Sequence, residues 1–501
     1  MDTINAGVKT LHPEYEINIK KWSQIDHIIS GSQAVKAQGT CYLPKPGAAI
    51  DKCCPSREMY PNDALYSAAH AKWQNDKLAN DVRYEQYKER ALFYNLTKRT
   101  LDNYIGQVFR KDPERTIPTQ LEYIDFDVDG SGNSINQLAK EQVGQVSRKG
   151  RAGLFVDIPD DLGSKADQIS GKLAPRMTAY KAENIINWKY KTVGASRVLT
   201  MVVLREMYEY EIDEFYSQFH YQYRVLRLDE NDLYVQDLYK FTDGDGGEKT
   251  TTEVKVAGQR IDYLPFYFIG SENNDFDCDD APLYDLSEIN IKHYQCSADN
   301  FESSHVVGQP TIHIDIGTQQ NLDEFWRANP TGISVGARSG LITQAGGTAQ
   351  YLQTSPNQMP KQDMRDLEIM AVQIGAALIQ KSQQETAEAA RIKHAADSSV
   401  IATIADNVSE AITDALIMCA RFLGASEEGI EYKLNTDFET DQMDAQMLQA
   451  WMAGKLQGVI PTAYFNNKMR KVGYFPADAT DEDIEALLES DGMGNNNGGI
   501  E

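Results

Sequence analysis

The sequence lacks long apolar runs and is short of positive charge. No run of about 18 apolar residues occurs, and the first 25 residues have neither an apolar core nor a small-residue cleavage site. We therefore expect no membrane span and no secretory signal. The 501 residues contain 49 Lys or Arg against 74 Asp or Glu, a formal net charge of -25. Nucleic acid repels such an acidic chain, which argues against a groove-reading DNA-binding protein.

Cysteines are also scarce, and their spacing is uninformative for metal binding. There are six in 501 residues, and none forms a CxxC pair. The adjacent Cys53 and Cys54 suit neither an ordinary disulfide with each other nor a tetrahedral metal pair. The pattern favours reduced cysteines in a cytosolic setting.

Three common catalytic motifs are missing. The chain has no GxSxG, no HExxH and no P-loop. Its eight histidines leave a distributed catalytic site open as an alternative. We predict that the protein is not an enzyme and needs no cofactor.

One stretch, DFDVDGSGNSIN at residues 125–136, resembles a calcium-binding loop. Asp125, Asp127 and Asp129 alternate before Gly130, but the twelfth position is Asn136 where a bidentate carboxylate is needed. Asp, Asn and Gly are typical turn residues. We predict a surface turn without a metal, with the three aspartates as weak metal candidates.

Hydrophobic periodicity divides the chain into helical and β-rich parts, too many for one core. Residues 1–60 are mixed and proline-containing, and we expect an extended or irregular arm. The remaining segments are predicted as a helix over 61–112, an antiparallel β meander over 176–270, a helix of about 24 residues from 281, short strands over 309–356 and helices over 361–424.

A polar segment interrupts the last helical region. Apolar residues recur at helical spacing before residue 380 and again from Ile401 to Phe422. Across the sequence QKSQQETAEAARIKHAADSS between them, Ile392 is the only large aliphatic residue. A helical segment that is polar all round packs against nothing apolar. We expect it to face solvent or a solvated polymer.

Taken in order, these segments resemble the portal (head-to-tail connector) proteins of tailed double-stranded DNA bacteriophages. The stretches that carry the resemblance are YKERALFYNLTKRTLDNYIGQVFRK, DVDGSGNSINQLA, KGRAGLFVDIP, MAVQIGAALIQ and ETAEAARIKHAADSSVIATIADN. The resemblance spans roughly residues 60–480. It implies an α+β portal fold with long helices and antiparallel β segments, assembling into a ring of about twelve copies.

The resemblance also implies a division into domains. After the N-terminal arm (1–60), the expected parts are the wing (61–280), the first stem helix (281–305), the clip (306–360), the second stem helix (361–380), the tunnel segment with the long wing helix (381–424), the crown (425–490) and a disordered tail (491–501).

Candidate site residues follow from this division. We expect the polar tunnel segment to exchange DNA phosphate contacts weakly, since a dense basic belt would bind DNA tightly. The tunnel candidates are Lys381, Gln383, Gln384, Arg391 and Lys393. The alternative is that they are ordinary exposed helix residues between glutamates. The candidates for contacting partners at the clip are Trp326, Arg327 and Arg338.

By resemblance, the chain would form the channel for DNA packaging and ejection at one capsid vertex of the virion, after assembly in the host cytoplasm. Implied partners are further copies of the chain, the terminase, head-tail adaptor proteins, the major capsid or scaffolding protein, and double-stranded DNA that passes without sequence specificity. The alternatives are a non-portal virion ring or scaffold protein and a calcium-binding cytosolic enzyme.

Overall fold

The computed structural model divides the chain into two compact units, Met1–Thr436 and Asp437–Glu501, and each is described by itself. The structure describes residues 7–47, 53–59, 62–158, 174–241, 247–256, 259–308, 311–315, 319–328, 348–352, 357–376, 387–436, 438, 445–475, 479–484 and 486.

Eleven α-helices have defined bounds in the described ranges. Nine belong to the first unit: α1 (Pro13–Ser30), α2 (Ser32–Ala37), α3 (Asp63–Arg90), α4 (Leu96–Val108), α5 (Ile135–Lys149), α6 (Tyr284–Val307), α7 (Gln319–Ala328), α8 (Met359–Ala371) and α9 (Ala387–Leu423). The second unit contains α10 (Ala445–Leu456) and α11 (Thr462–Val472). Among the helices in these ranges, none is long and apolar enough to cross a bilayer.

The described strands all lie in the first unit. They are β1 (Glu114–Thr116), β2 (Arg151–Asp157), β3 (Arg176–Lys181), β4 (Ile185–Val193), β5 (Ser196–Asp213), β6 (Tyr216–Leu228), β7 (Tyr234–Phe241), β8 (Gly247–Glu253), β9 (Lys255–Val256), β10 (Gln259–Arg260), β11 (Phe266–Gly270), β12 (Thr311–Asp315), β13 (Thr348–Leu352) and β14 (Glu431–Lys433).

The strands form antiparallel sheets, as the sequence predicts for the β-rich region. The largest sheet has the order β4-β5-β6-β7-β8, a meander in which chain neighbours pair. A second sheet has the order β11-β2-β3. The remaining described pairs are β1 with β14, β9 with β10 and β12 with β13. Helices combined with antiparallel sheets confirm the α+β class.

The core of the first unit forms where α5 and α9 pack on the β11-β2-β3 sheet and on each other. Strand β2 is buried along nearly its whole length because helices and strands cover both its faces. On α9, the apolar residues recur at intervals of three and four, and the predicted stripe is buried: Ile401, Ile404, Val408, Ala411, Ala415, Met418 and Phe422. The second unit buries Phe465 and Met469 between α10 and α11.

The N-terminal segment is helical, so the prediction of an extended or irregular arm is wrong over residues 13–37. Helix α1 buries Tyr15, Trp22, Ile25 and Ile28. The indole N–H of Trp22 donates to the carbonyl of Lys149 at 2.9 Å. Proline in the first turn is compatible with a helix, so Pro13 did not exclude one.

The helix predicted over residues 61–112 is two helices, because α3 ends at Arg90 and α4 begins at Leu96. The amide oxygen of Asn290, on α6, accepts hydrogen bonds from the backbone N–H groups of Leu96 (3.0 Å) and Thr97 (3.2 Å). These are donors that a helix start leaves without intrahelical partners. Asn95 also caps α4 locally, since its side-chain oxygen accepts from the N–H of Lys98 at 2.9 Å, and this N-cap residue was the signal that the sequence offered.

The aspartate-rich stretch before α5 forms a turn that its own carboxylates hold. One Asp127 oxygen accepts from the N–H groups of Gly130 (2.8 Å) and Gly132 (2.9 Å). The pKa of Asp127 is lowered, mainly by the hydrogen bond from Gly132. The guanidinium of Arg176 and the hydrogen bond from Gly130 lower it further. Asp129 accepts from the N–H of Ser131 at 2.8 Å.

The third aspartate of the turn faces a cation, and helix α5 begins just beyond. Asp125 lies 2.9 Å from the guanidinium of Arg115. Ser134 and Gln137 form a reciprocal capping box at the start of α5. The carboxylates therefore serve backbone and guanidinium donors that fix the entry to this helix.

A buried ammonium group ties α1, α5 and the start of the large sheet together. The side chain of Lys149 is 1% exposed and lies 2.7 Å from Asp26 and 2.5 Å from Glu183. Burial would raise the pKa of Glu183, but the charge and hydrogen bond of Lys149 outweigh it and the pKa is lowered. Tyr15 and Arg205 both donate to the backbone carbonyl of Glu183.

We predict that Lys149→Met destabilises the folded chain by about 2–3 kcal/mol, because two partly buried carboxylates lose their cation. Urea unfolding measures the change. Lys98→Met is the matched control: Lys98 pairs with Asp102 on the surface, and its loss should cost less than about 1 kcal/mol. Equal losses in the two variants would contradict the central role of Lys149.

The same pair predicts a pH dependence. Since the folded-state pKa of Glu183 is lowered, its contribution is complete above the ordinary value of 4.5 and is lost as the pH falls through the folded value. Lys149→Met should flatten this acid-side loss of stability relative to the wild type.

For the aspartate turn, we predict that millimolar Ca²⁺ leaves the Tm of the wild-type protein unchanged. The oxygens of Asp127 already accept from backbone and guanidinium donors, so a cation would have to displace them. Thermal unfolding in Ca²⁺, in Mg²⁺ and in a chelator checks this. A Tm that rises with Ca²⁺ in the wild type but not in Asp127→Asn would establish a calcium site here.

Candidate functional site

The region expected to form the stem contains two long helices packed side by side. Helix α6 lies close to its predicted bounds of 281–305. Nε2 of His293 on α6 lies 3.2 Å from a carboxylate oxygen of Glu368 on α8. Cys296 lies near Asp363, one turn earlier on α8, so the two helices run antiparallel. His293 is fully buried, as expected for a packed histidine.

The second of these helices is interrupted where the sequence predicts continuous helix. Residues Val372–Ala376 form a π-helical turn containing a non-helical Gly375. A Cβ on Gly375 would lie 2.6 Å from the hydroxyl of Tyr104 on α4. A larger residue would have to displace that hydroxyl, so the close approach of α4 favours glycine there.

Large apolar side chains remain exposed on this helix pair. We call them the stem surface. Its six members are between 36% and 61% exposed: Phe301 and Val306 on α6, Met359, Ile369 and Met370 on α8, and Ile374 in the π-helical turn. Exposed apolar groups of this number on adjoining helices are typical of a surface that a partner covers.

The tunnel candidates fall where the structure says little about side chains. Lys381, Gln383 and Gln384 lie outside the described residues. Arg391 and Lys393 lie on the first turns of α9, but their side chains are not among those described. Their assignment to a DNA channel stays a prediction.

The clip candidates are divided in the same way. Helix α7 occupies part of the segment that the sequence suggested was a polar insert between strands. Trp326 is 52% exposed on this helix, with its ring centroid 5.6 Å from that of Phe325, and Arg327 is exposed beside it. Arg338 lies outside the described residues. Strands β12 and β13, on either side, pair antiparallel from Thr311↔Leu352 to Asp315↔Thr348.

An acidic cleft beside α9 was not identified from the sequence. Asp406, Glu410 and Asp414 lie at successive intervals of four on α9, with Glu431 of β14 on the other wall. Burial and the charge of Glu410 raise the pKa of Asp414. The i, i+4 spacing was a readable signal. The position of β14 beside this row of carboxylates could not be read from the sequence, because β14 is only three residues long.

No three His, Cys, Asp or Glu side chains in the described ranges converge as a metal site would require. The weak metal candidates Asp125, Asp127 and Asp129 are engaged in the turn already described. All six cysteines are described, and none is bonded to another.

Comparison with known proteins gives a partial match. Residues 282–423 match the family model described as "Domain of unknown function (DUF4055)", a range that begins just before α6 and ends with α9. No curated protein matches the sequence. A solved structure described as "Neck of empty GTA particle computed with C6 symmetry" is similar at 12% identity and a TM-score of 0.40, covering 76% of this chain and 90% of that chain. A similarity at that level carries no weight for the function of this chain.

Proposed function

We propose that this chain is a portal protein of a tailed phage-like virion. Copies of it form a ring at one capsid vertex, and double-stranded DNA passes through the ring during packaging and ejection. The proposal rests first on the stem surface. Six large apolar side chains on α6, α8 and the adjoining turn are exposed in the single chain, and neighbouring copies would bury them.

The order of elements supports the same proposal. An antiparallel helix pair, α6 and α8, brackets a small unit made of β12, α7 and β13. Helix α9 then returns as a 37-residue helix into the core of the first unit. This order corresponds to the stem, clip, stem and wing helix that the sequence resemblance implies. The family match over residues 282–423 covers the same elements, although its description names no function.

The net negative charge of the chain suits a channel that does not bind DNA tightly. With a net charge of -25, a ring would mostly repel phosphates. The cations Lys381, Arg391 and Lys393 with their neighbouring amides would give weak, exchangeable contacts at one level of the channel.

Partners follow from the proposed position in the virion. The exposed Trp326 and Arg327 on α7 are the described candidates for contact with the terminase and, later, with head-tail adaptor proteins. Trp and Arg are enriched where interfaces bind most tightly. The capsid or scaffolding protein would surround the ring, and we propose no catalytic role for the chain.

We predict that the purified protein assembles into a closed ring of about twelve copies with a central hole. Native mass spectrometry and negative-stain microscopy measure the copy number and the hole. A compact single copy at high concentration would overturn the proposal. A small oligomer without a hole would favour an enzyme over a ring component.

The stem surface provides the sharper form of this test. Ile369→Asp with Ile374→Asp should shift the protein from rings to single chains, because it places charges where neighbouring copies would bury apolar groups. Two aspartates at Val193 and Val459, which are exposed elsewhere, are the matched control and should leave the rings intact.

We also predict that Lys381, Arg391 and Lys393, changed together to alanine, permit ring assembly but impair packaging or retention of DNA. The readout is the mass of DNA protected in particles made with the variant. The control changes Lys20, Lys140 and Lys255 to alanine and should package DNA normally, because these three exposed lysines lie outside the tunnel segment. Normal packaging by the first variant would remove the tunnel assignment and leave the ring itself untouched.

A further inference from the structure

A histidine side chain caps the first helix of the chain. Nδ1 of His12 accepts a hydrogen bond from the backbone N–H of Glu14 at 3.3 Å, at the start of α1. This N–H is one of the donors that a helix start leaves without an intrahelical partner. The usual capping residues are Asn, Asp, Ser and Thr, which accept through a side-chain oxygen. A histidine accepts through Nδ1 only while its ring is uncharged.

The ring of His12 also stacks on a buried indole. Its centroid lies 3.7 Å from that of Trp188 on β4, with an angle of 22° between the ring planes. Trp188 is buried, and the guanidinium of Arg151 on β2 lies 4.3 Å from the centroid of the same indole. The guanidinium also lies over the ring of Phe268, at 4.0 Å. A charged His12 would therefore place a second cation against an indole that already holds one.

The surroundings of His12 favour the neutral ring. Burial is the largest influence and lowers the pKa of His12. The charge of Glu14 on α1 raises the pKa, that of Arg151 on β2 lowers it, and that of Asp277 in the loop before α6 raises it. Burial prevails, so the pKa lies below its ordinary value of 6.5. The start of α1 adds to this preference, because the N-terminal end of a helix carries a partial positive charge.

The capped helix start continues into a short N-terminal segment that lies on the large sheet. We call residues 7–12 the strap. The backbone N–H of His12 donates to the carbonyl of Ile186 at 2.9 Å, and the side-chain amide of Asn187 donates to the carbonyl of Thr10 at 3.0 Å. Among the described strands, β4 pairs with β5 alone. The strap is therefore bound where the sheet ends.

The later turns of α1 are anchored by other contacts. Trp22 donates to the carbonyl of Lys149 at 2.9 Å, and the ammonium of Lys149 lies 2.7 Å from Asp26. These contacts join α1 to α5 and do not involve His12. A change at His12 therefore acts on the strap and the first turn of α1, and it leaves the attachment to α5 in place.

We propose that His12 is an acid-sensitive latch that holds the strap and the first turn of α1 against the large sheet. Protonation puts a hydrogen on Nδ1, so the N–H of Glu14 then faces a donor where it had an acceptor. Protonation also sets a cation beside a helix N-terminus and against the indole that the guanidinium of Arg151 covers. Both changes free the helix start and uncover Trp188. All of these contacts lie within one chain, so the inference goes beyond the proposed function and does not depend on it.

The direction of the pH effect follows from the lowered pKa of His12. A histidine whose pKa is lower in the folded chain than in the unfolded chain stabilises the fold fully above the ordinary value of 6.5. This stabilisation is lost as the pH falls through the folded value. The strap should therefore be held at neutral pH and loosen on the acid side of 6.5.

Hydrogen–deuterium exchange of the full chain tests the latch. Mass spectrometry follows a peptide that covers the strap and the first turns of α1. Protection is compared after correction for the pH dependence of intrinsic exchange. In the wild type it should fall about fivefold between about pH 7.5 and about pH 5, the effect of losing one helix cap.

His12→Asn is the decisive variant, because asparagine caps a helix and does not titrate. Its peptide should be protected like the wild type at about pH 7.5 and should stay within about twofold of that value at about pH 5. His12→Ala has no acceptor and should be about fivefold less protected at both pH values. The matched control, His305→Asn, changes an exposed histidine on α6 and should keep the wild-type pH dependence.

Circular dichroism of each variant establishes that the chain is folded at both pH values before exchange is compared. A fall in the wild type with pH-independent protection in His12→Asn, at whatever level, assigns the release to His12. A wild type whose protection does not change over this range would overturn the latch. An equal acid-side loss in the wild type and in His12→Asn would overturn it too, since another titrating group would then release the strap. Neither result bears on ring assembly, which tests the proposed function separately.

Discussion

The described chain has apolar surface in two places that its own core does not cover: the stem surface on α6 and α8, and the projecting part of the β5–β6 hairpin, residues 207–221. The core lies at the packing of α5 and α9 on the β11-β2-β3 sheet. The long elements extend away from it, so each has a buried end and an exposed end. On α3, for example, Tyr84 and Tyr87 are buried and Leu65 is exposed. Burial of such apolar surface is favourable, so a partner that covers it would stabilise the chain.

Fixed polar contacts hold the long elements at their buried ends. Lys149 joins α5 to α1 and to the start of the large sheet through two carboxylates. Asn290 joins α6 to the start of α4. A buried polar group is costly unless it is paired, so these contacts allow few alternative packings. These contacts fix α5 relative to α1 and α6 relative to α4.

Local pattern predicted part of the architecture well. The β meander, helix α6 and the buried stripe of α9 follow from periodicity that is uninterrupted over many residues. The aspartate turn followed from Asp and Gly chemistry alone. Helix α1 was missed although Tyr15, Trp22, Ile25 and Ile28 recur at helical spacing, and the break before α4 was missed although Asn95 is a local N-cap residue. Of the candidate site, the sequence proposed the polar segment and Trp326, whose roles stay predictions, and it did not reveal the stem surface, the acidic cleft or the projecting β5–β6 hairpin.

The sequence by itself determined the type of most elements, the acidic charge and the polar gap between two apolar stripes, because these depend on composition and on spacing within a few turns. Only the tertiary structure decided which apolar residues stay exposed. Tyr223 and Tyr221 have the same alternation and similar chemistry, yet one is buried and the other exposed. Whether β7 reaches far enough to cover a given position is a property of the assembled sheet, and no local pattern contains it.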